Sequence, residues 1–279
     1  MFTWTDLTPP GRLAIMGILN VTPDSFSDGG RFLDPHAAVT HGRALAAEGA
    51  DIVDVGGEST RPGAEPVEVD EELRRVIPVV DALVAADVVV SVDTTKVAVA
   101  EAALDAGAAV VNDVTAGRAE PEMLALVAER QAGFVAMHMQ GEPRTMQDQP
   151  RYDDVVAEVG AFLAERVGAA LAAGIAPTAI IADPGIGFGK TLEHNLALLA
   201  ALPQLAALAG APLLVGASRK QFLAALLARA GFTAPDPLDR DDATLATVVW
   251  CARRSVRVVR VHDTLGAARA AQLVSEVAA

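Results

Sequence analysis

Ala179-Ile180-Ile181-Ala182-Asp183-Pro184-Gly185-Ile186-Gly187-Phe188-Gly189-Lys190-Thr191 is the stretch whose reading decides the fold. A short apolar run ends on a carboxylate, passes into a glycine-rich loop and leads to an Ala-rich, helix-like segment over Asn195–Leu208. Strand, loop, helix in that order is the unit of a parallel α/β sheet. The loop is not a phosphate-cradling nucleotide loop. An ending Gly189-Lys190-Thr191 requires a glycine five positions before Gly189, and Pro184 stands there. The dinucleotide fingerprint fails too, because Lys190 or Leu192 falls where its last glycine belongs. The glycines instead let the backbone approach a ligand and present Phe188.

Working outward, seven further apolar runs share this form: Ala14–Leu19, Asp51–Val55, Val88–Val92, Ala109–Val111, Gly133–Met137, Pro212–Val215 and Val256–Val261. They do not alternate strictly between apolar and polar, as expected of strands covered on both faces. Helix-like segments lie between them. Asp34-Pro35 reads as an N-cap followed by proline at the first helical position. Over Asp154–Ala173, Val155, Val159, Phe162, Leu163, Val167 and Ala170 recur at helical spacing. Ala-rich stretches at Val97–Ala106, Pro121–Arg130 and Lys220–Ala230, then Asp241–Arg253 and Leu265–Val277, complete the alternation. An open doubly wound sheet and a closed barrel both have a βαβα order with right-handed crossovers. Eight strands in 279 residues without a linker favour a single-domain (β/α)8 TIM barrel over residues 1–279, with its core at about 14–277.

Composition narrows the function. The formal net charge of −14 argues against nucleic-acid or anionic-membrane partners, which need clustered cations. One cysteine, Cys251, allows neither an internal disulfide nor a multi-cysteine metal site. Its apolar neighbours make it a buried small hydrophobe. Residues 1–12 lack the basic start and apolar stretch of a signal peptide, and no apolar run approaches bilayer length. A cytoplasmic protein is expected.

Polar residues recur where the strands end: Asn20, Gly56-Gly57-Glu58-Ser59-Thr60-Arg61, Asp93, Asn112-Asp113, His138, Asp183, Ser218-Arg219-Lys220 and His262-Asp263. In a parallel barrel these ends share one face, where active sites form. Asp and Asn also cap helices, so capping competes with function at each position. Eight in succession, including Lys and His, exceed what caps alone require. The loops Asn20–Gly30 and Gly56–Gly63 are long and polar, in keeping with covers over the mouth. Ser218, Lys220 and the helix start beside them form an anion site. Arg260 and His262, two apart on a strand, point to one face and are placed to share an anionic group. No Gly-x-Ser-x-Gly elbow and no His-Glu-x-x-His pair occurs. The set reads as heteroaromatic recognition beside a phosphate pocket.

Seven segments in order carry a resemblance: Met16–Gly30, Gly57–Gly63, Ser91–Thr94, Val111–Val114, Asp183–Lys190, Ser218-Arg219-Lys220 and Arg260–Asp263. Through them the chain resembles the bacterial, monofunctional dihydropteroate synthases from about Ile15 to Asp263. The resemblance implies condensation of (7,8-dihydropterin-6-yl)methyl diphosphate with 4-aminobenzoate, with catalysis resting on Lys220, Arg260 and Asp93. It implies that Asp93, Asn112, Asp183 and Lys220 hold the pterin, and that Arg260, His262 and Asn20 face the diphosphate, with Thr60 beside the pterin site. Thr60, Arg61, Pro62, Phe188, Lys220 and Ser218 are implied for aminobenzoate, Asn20 for Mg2+, and a homodimer for the assembly. A pterin-binding methyltransferase domain and a non-catalytic paralogue are the alternatives. Methyltransferases differ at the first two loops, and such paralogues are eroded in the first loop or at the Lys and Arg positions.

Overall fold

The first apolar run becomes β1 (Ala14–Asn20), buried at every position before Asn20. The computed structural model describes residues 1–8, 11–22, 35–59, 64–142, 145–234, 236–254 and 256–278. The remaining strands are β2 (Ile52–Gly56), β3 (Val90–Asp93), β4 (Val110–Asp113), β5 (Gly133–Met137), β6 (Ile180–Asp183), β7 (Leu214–Val215) and β8 (Val258–Val261). All pair in parallel, in the order β6-β5-β4-β3-β2-β1-β8-β7. A parallel bridge between Ala182 and Leu213 closes β6 onto β7, with Ala182 N–H donating to the Pro212 carbonyl at 2.9 Å. The chain is a nearly closed (β/α)8 barrel. All eight expected strands form. β7 keeps only two residues of its expected run, and Pro212 has no N–H with which to extend the ladder.

The helices surround the barrel: α1 (Pro35–Ala47), α2 (Val69–Val84), α3 (Val97–Asp105), α4 (Glu122–Glu129), α5 (Val155–Ala172), α6 (Leu192–Ala200), α7 (Leu202–Ala209), α8 (Gln221–Arg229), α9 (Asp241–Ala252) and α10 (Thr264–Ala278). Asp154 caps α5, accepting from the N–H groups of Val156 and Ala157 at 3.0 Å each. The expected cap Asp34 lies outside the described residues. Two elements differ from expectation. α2 is not among the helices read from sequence; it carries Pro78 in its interior, and its buried Val76, Val79, Val80 and Leu83 pack on the core. The single stretch Asn195–Leu208 is two helices, bent by 76°. Pro203 falls at the start of the second, where its missing N–H is harmless.

The barrel interior determines where the site lies. Ala14, Met16, Ile52, Val110, Val135, Ile181, Leu214 and Val258 form an inner apolar cluster. Trp4 seals it from the N-terminal side, with Nε1 donating to the Ala179 carbonyl at 2.8 Å. Side chains two residues further along a strand point to the same face. Above Ile52, Val110, Ile181 and Val258 therefore stand Asp54, Asn112, Asp183 and Arg260. The inner face turns from hydrocarbon to charge in one step along each of four strands.

Candidate active site

The polar layer is built around Arg260. Its Nε donates to Asp54 Oδ2 at 2.6 Å and its Nη2 to Asp93 Oδ2 at 2.7 Å. Asn112 Nδ2 donates to the same Asp54 oxygen at 3.0 Å. Burial works against the charge of Arg260, and Asp54 and Asp93 outweigh it, raising the guanidinium pKa. Burial pushes the Asp93 carboxyl up to about 7 against the pull of Arg260. Asp54 is fully buried, and its Oδ1 has no hydrogen-bond partner among the described residues. Sequence reading missed Asp54. The available signal was a carboxylate inside an otherwise apolar strand, which has to be paired or functional.

Asp183 and Lys220 face this layer from β6 and the start of α8. Burial raises the Asp183 carboxyl, with Lys220 opposing. Burial brings the Lys220 ammonium down to about 7, with Asp183 holding it up. Lys220 Nζ donates to the Ile186 carbonyl and lies 4.3 Å from the centre of the Phe188 ring. Phe188 in turn packs on Val114, Met137, Met139 and Met146. The β6 loop adopts this course through Gly185 and Gly187, at φ +63° and +85°. A Cβ on Gly187 would meet Lys220 Cδ at 2.9 Å. Gly185 N–H donates to Asp183 Oδ1 at 2.7 Å, fixing the carboxylate.

A second lysine staples the same loop. Lys190 is buried, and its Nζ lies 2.9 Å from the carbonyls of Gly185 and Phe188 and 3.0 Å from His138 Nδ1. Burial brings this ammonium down to about 7, and burial together with Lys190 brings His138 down to about 3. Neutral His138 thus accepts from the ammonium, and the loop carrying Phe188 is held from beneath. Neither role was read from the sequence, which shows no partner for either residue.

Ser218 and His262 meet at the other side of the mouth, Oγ to Nδ1 at 3.0 Å, and the His262 N–H donates to the same Oγ at 3.2 Å. Asn20 ends β1 beside Gly56 and is partly exposed. In the structure the Arg260 guanidinium lies on two carboxylates, and the His262 imidazole lies beside the Ser218 hydroxyl. Thr60, Arg61 and Pro62, like Pro23–Gly30 of the first loop, lie outside the described residues. Two strand-end acids are structural. Asp113 accepts from the N–H groups of Thr115 and Gly117 at 2.7 Å each, and Asp263 from Gly266 N–H at 2.9 Å. A cavity of about 200 Å³ opens beside Asp93, lined also by Glu58, Ser59, Glu72, Thr94 and Thr115. Lys96 pairs with both of those glutamates.

The assembly offers carboxylates and an amide for a donor-rich ring edge, a lysine for a carbonyl, and a hydroxyl with an imidazole for an anion. Among the described residues its hydroxyl–imidazole pair is Ser218 with His262, which is read as an anion contact rather than as a nucleophile and base. Among the described residues no single helix is long and apolar enough to cross a membrane. Cys251 is buried, its thiol pushed up to about 12 by burial and by the charge of Asp183.

Comparison with known proteins identifies the family. The family described as pterin binding enzyme matches residues 16–262. The chain is 51% identical to a dihydropteroate synthase of Mycobacterium leprae over 93% of this chain and 92% of that protein. It is 45% identical to the dihydropteroate synthase of Escherichia coli, covering 98% of this chain and 93% of that one. Among solved structures, Xanthomonas albilineans dihydropteroate synthase with 4-aminobenzoic acid superposes with a TM-score of 0.88 at 48% identity, covering 96% of this chain and 94% of that one.

Proposed function

The chain belongs to the dihydropteroate synthases, transferases of folate biosynthesis, and from that premise we propose how its residues join (7,8-dihydropterin-6-yl)methyl diphosphate to 4-aminobenzoate. The observation that carries the assignment of roles is the charged layer of Asp54, Asp93, Asn112, Asp183, Lys220 and Arg260 directly above an apolar barrel floor. The carboxylates and Asn112 receive the N–H edge of the pterin, and the Oδ1 of Asp54, without a hydrogen-bond partner among the described residues, is an acceptor suited to that role. Lys220 donates to the ring carbonyl. The planar guanidinium of Arg260 covers the ring and, with His262, faces the diphosphate. Phe188 and the stem of Lys220 flank the aminobenzoate ring, Ser218 receives its carboxylate, and Thr60, Arg61 and Pro62 complete that pocket from the second loop.

The C–O bond to the diphosphate breaks first, and pyrophosphate leaves with the bonding pair. The resulting pterin-methyl cation is delocalised into the ring. The aminobenzoate nitrogen supplies its lone pair to form the C–N bond and then loses a proton to solvent, giving 7,8-dihydropteroate. This sequence needs neither a covalent nucleophile nor a strong base. It needs a fixed ring pocket and a clamp on the leaving group.

Magnesium fits the donor chemistry in a limited way. Among the described residues no cluster of three carboxylate, imidazole or thiolate ligands occurs, and Asn20 offers one neutral oxygen at the mouth. A hard cation carried by phosphate oxygens needs little more from the protein. When bound, it would neutralise charge on the departing diphosphate. We further propose that residues 1–279 act as one pterin-binding domain in the cytoplasm, in keeping with a single free thiol. The chain pairs with a second copy through barrel helices, where Leu208, Leu226, Val249 and Trp250 leave apolar surface exposed on α7, α8 and α9. Sulfonamides, as aminobenzoate mimics, compete at the Phe188 pocket.

The deciding experiment is pyrophosphate release from the pterin diphosphate with magnesium, with and without 4-aminobenzoate. Aminobenzoate-dependent release with dihydropteroate formed is expected. Binding of pterin without release would point to a non-catalytic paralogue, and no pterin binding would overturn the reading of the site.

A further inference from the structure

Between Ser218 and Lys220 the backbone turns left-handed, with Arg219 at φ +58°. L-residues other than Asn, Asp and Gly rarely adopt this conformation, because the Cβ crowds the carbonyl oxygen. It persists where the surroundings over-determine it. Here the N–H, the carbonyl and the guanidinium of Arg219 are all tied to one neighbouring segment. Its N–H donates to Thr244 Oγ1 at 3.1 Å. Its carbonyl accepts from Arg240 Nη1 at 2.9 Å. Its guanidinium forks onto Asp241, Nε to Oδ1 at 2.7 Å and Nη2 to Oδ2 at 2.8 Å. Thr244 is buried and donates its own hydroxyl to the Arg240 carbonyl at 2.9 Å, so the three anchors form one unit at the start of α9.

The flanking side chains go elsewhere. Ser218 bonds His262 after β8, and Lys220 bonds the Ile186 carbonyl in the β6 loop. Three consecutive residues thus reach three different elements, with the left-handed residue at the centre.

We propose that Arg219 is a positioning residue: its left-handed backbone, held by Arg240, Asp241 and Thr244, aims Ser218 and Lys220 into the site. Its charge is committed to Asp241 and does not touch substrate. This rests on the reading of Ser218 and Lys220 as ligand contacts.

The test compares kcat and KM for both substrates in Arg219→Gly, Arg219→Ala, Thr244→Val and Thr244→Ser, with Lys220→Ala as a reference and circular dichroism to confirm folding. Glycine adopts positive φ freely, whereas alanine keeps the Cβ strain and loses the Asp241 anchor. Arg219→Gly is expected to keep kcat/KM roughly tenfold above Arg219→Ala. Equal losses in the two would overturn the proposal, since the guanidinium itself would then act. Thr244→Val is expected to raise the KM for the pterin substrate about five- to tenfold, and Thr244→Ser to restore it, because only the valine removes the acceptor of the Arg219 N–H. An unchanged KM in Thr244→Val would also overturn it. The threonine pair decides the matter even where Arg219→Ala does not fold. Wild-type turnover in Lys220→Ala would instead overturn the reading of the site on which the proposal stands.

Discussion

The guanidinium of Arg260 on β8 meets the carboxylate of Asp54 on β2, Nε to Oδ2 at 2.6 Å, across the intervening β1. The pair joins two strands that do not touch and forms the base of the polar layer. Asp54→Asn keeps the shape and removes the charge. It is expected to lower kcat/KM roughly ten- to a hundredfold, the scale of a lost charge-assisted bond in a buried site. Steady-state kinetics with the pterin diphosphate would check this, and unchanged values would show that Asp54 only braces the barrel.

Lys220 lies against the Ile186 carbonyl and the Phe188 ring, where its charge has few competitors. Lys220→Ala should reduce kcat/KM by about a hundredfold or more. Lys220→Arg should not restore it, because a planar fork does not fit a place shaped for one ammonium. Full activity in the arginine variant would refute that geometric argument.

The pH profile follows from Asp93 and Lys220, both brought to about 7 chiefly by burial. Turnover needs Asp93 ionised and Lys220 protonated. The kcat/KM of the free enzyme should therefore rise as pH approaches 7 from below and fall above it, in a narrow bell. Lys220→Met should remove the alkaline limb from whatever activity remains. A flat profile between pH 5.5 and 8.5 would contradict both roles.

His138 makes stability depend on pH in acid. Burial and the adjacent Lys190 hold it near 3, against 6.5 as its ordinary value. Between these values the unfolded chain carries a proton that the folded chain lacks, so stability falls as pH drops from 6.5 toward 3. Urea unfolding at pH 4.5 and 7 should show this difference, and His138→Gln should reduce it. An identical slope in the variant would assign the acid sensitivity to other groups.

Gly185 sits at φ +63°, and a Cβ there would run into the His138 carbonyl oxygen. Gly185→Ala should cost more than about 2 kcal/mol of stability and displace the Asp183 carboxylate that the Gly185 N–H holds. Denaturant midpoints would measure the first effect and pterin binding the second. A variant with wild-type values in both would show that the loop has room to move.

Much of the fold was legible because strand burial is a local matter. Runs such as Ala14–Leu19 and Gly133–Met137 cannot be exposed, and all eight became strands of one barrel. The polar strand ends were legible too, and those among the described residues lie at the carboxyl ends of one parallel barrel. Position in sequence could not tell a ligand group from a turn former. Asp93 pairs with Arg260, whereas Asp113 satisfies the N–H groups of Thr115 and Gly117. Asp54 escaped notice because its importance comes from β8, more than two hundred residues away. α2 was passed over although its apolar residues recur at helical spacing around Pro78, and Pro203, which marks the break between α6 and α7, was read through as part of one helix.

By itself, the sequence determined the alternation of strands and helices, the strand ends at which polar residues recur, and the family, since each depends on residue types in order along the chain. The tertiary structure decided which charges meet. Arg260 lies on Asp54 and Asp93, Lys190 on His138, and Arg219 on Asp241 and Thr244. Those pairings depend on distances of a few ångströms between distant segments. Burial then turns the same distances into shifted proton affinities, because a charge removed from water is stabilised only by the groups that surround it.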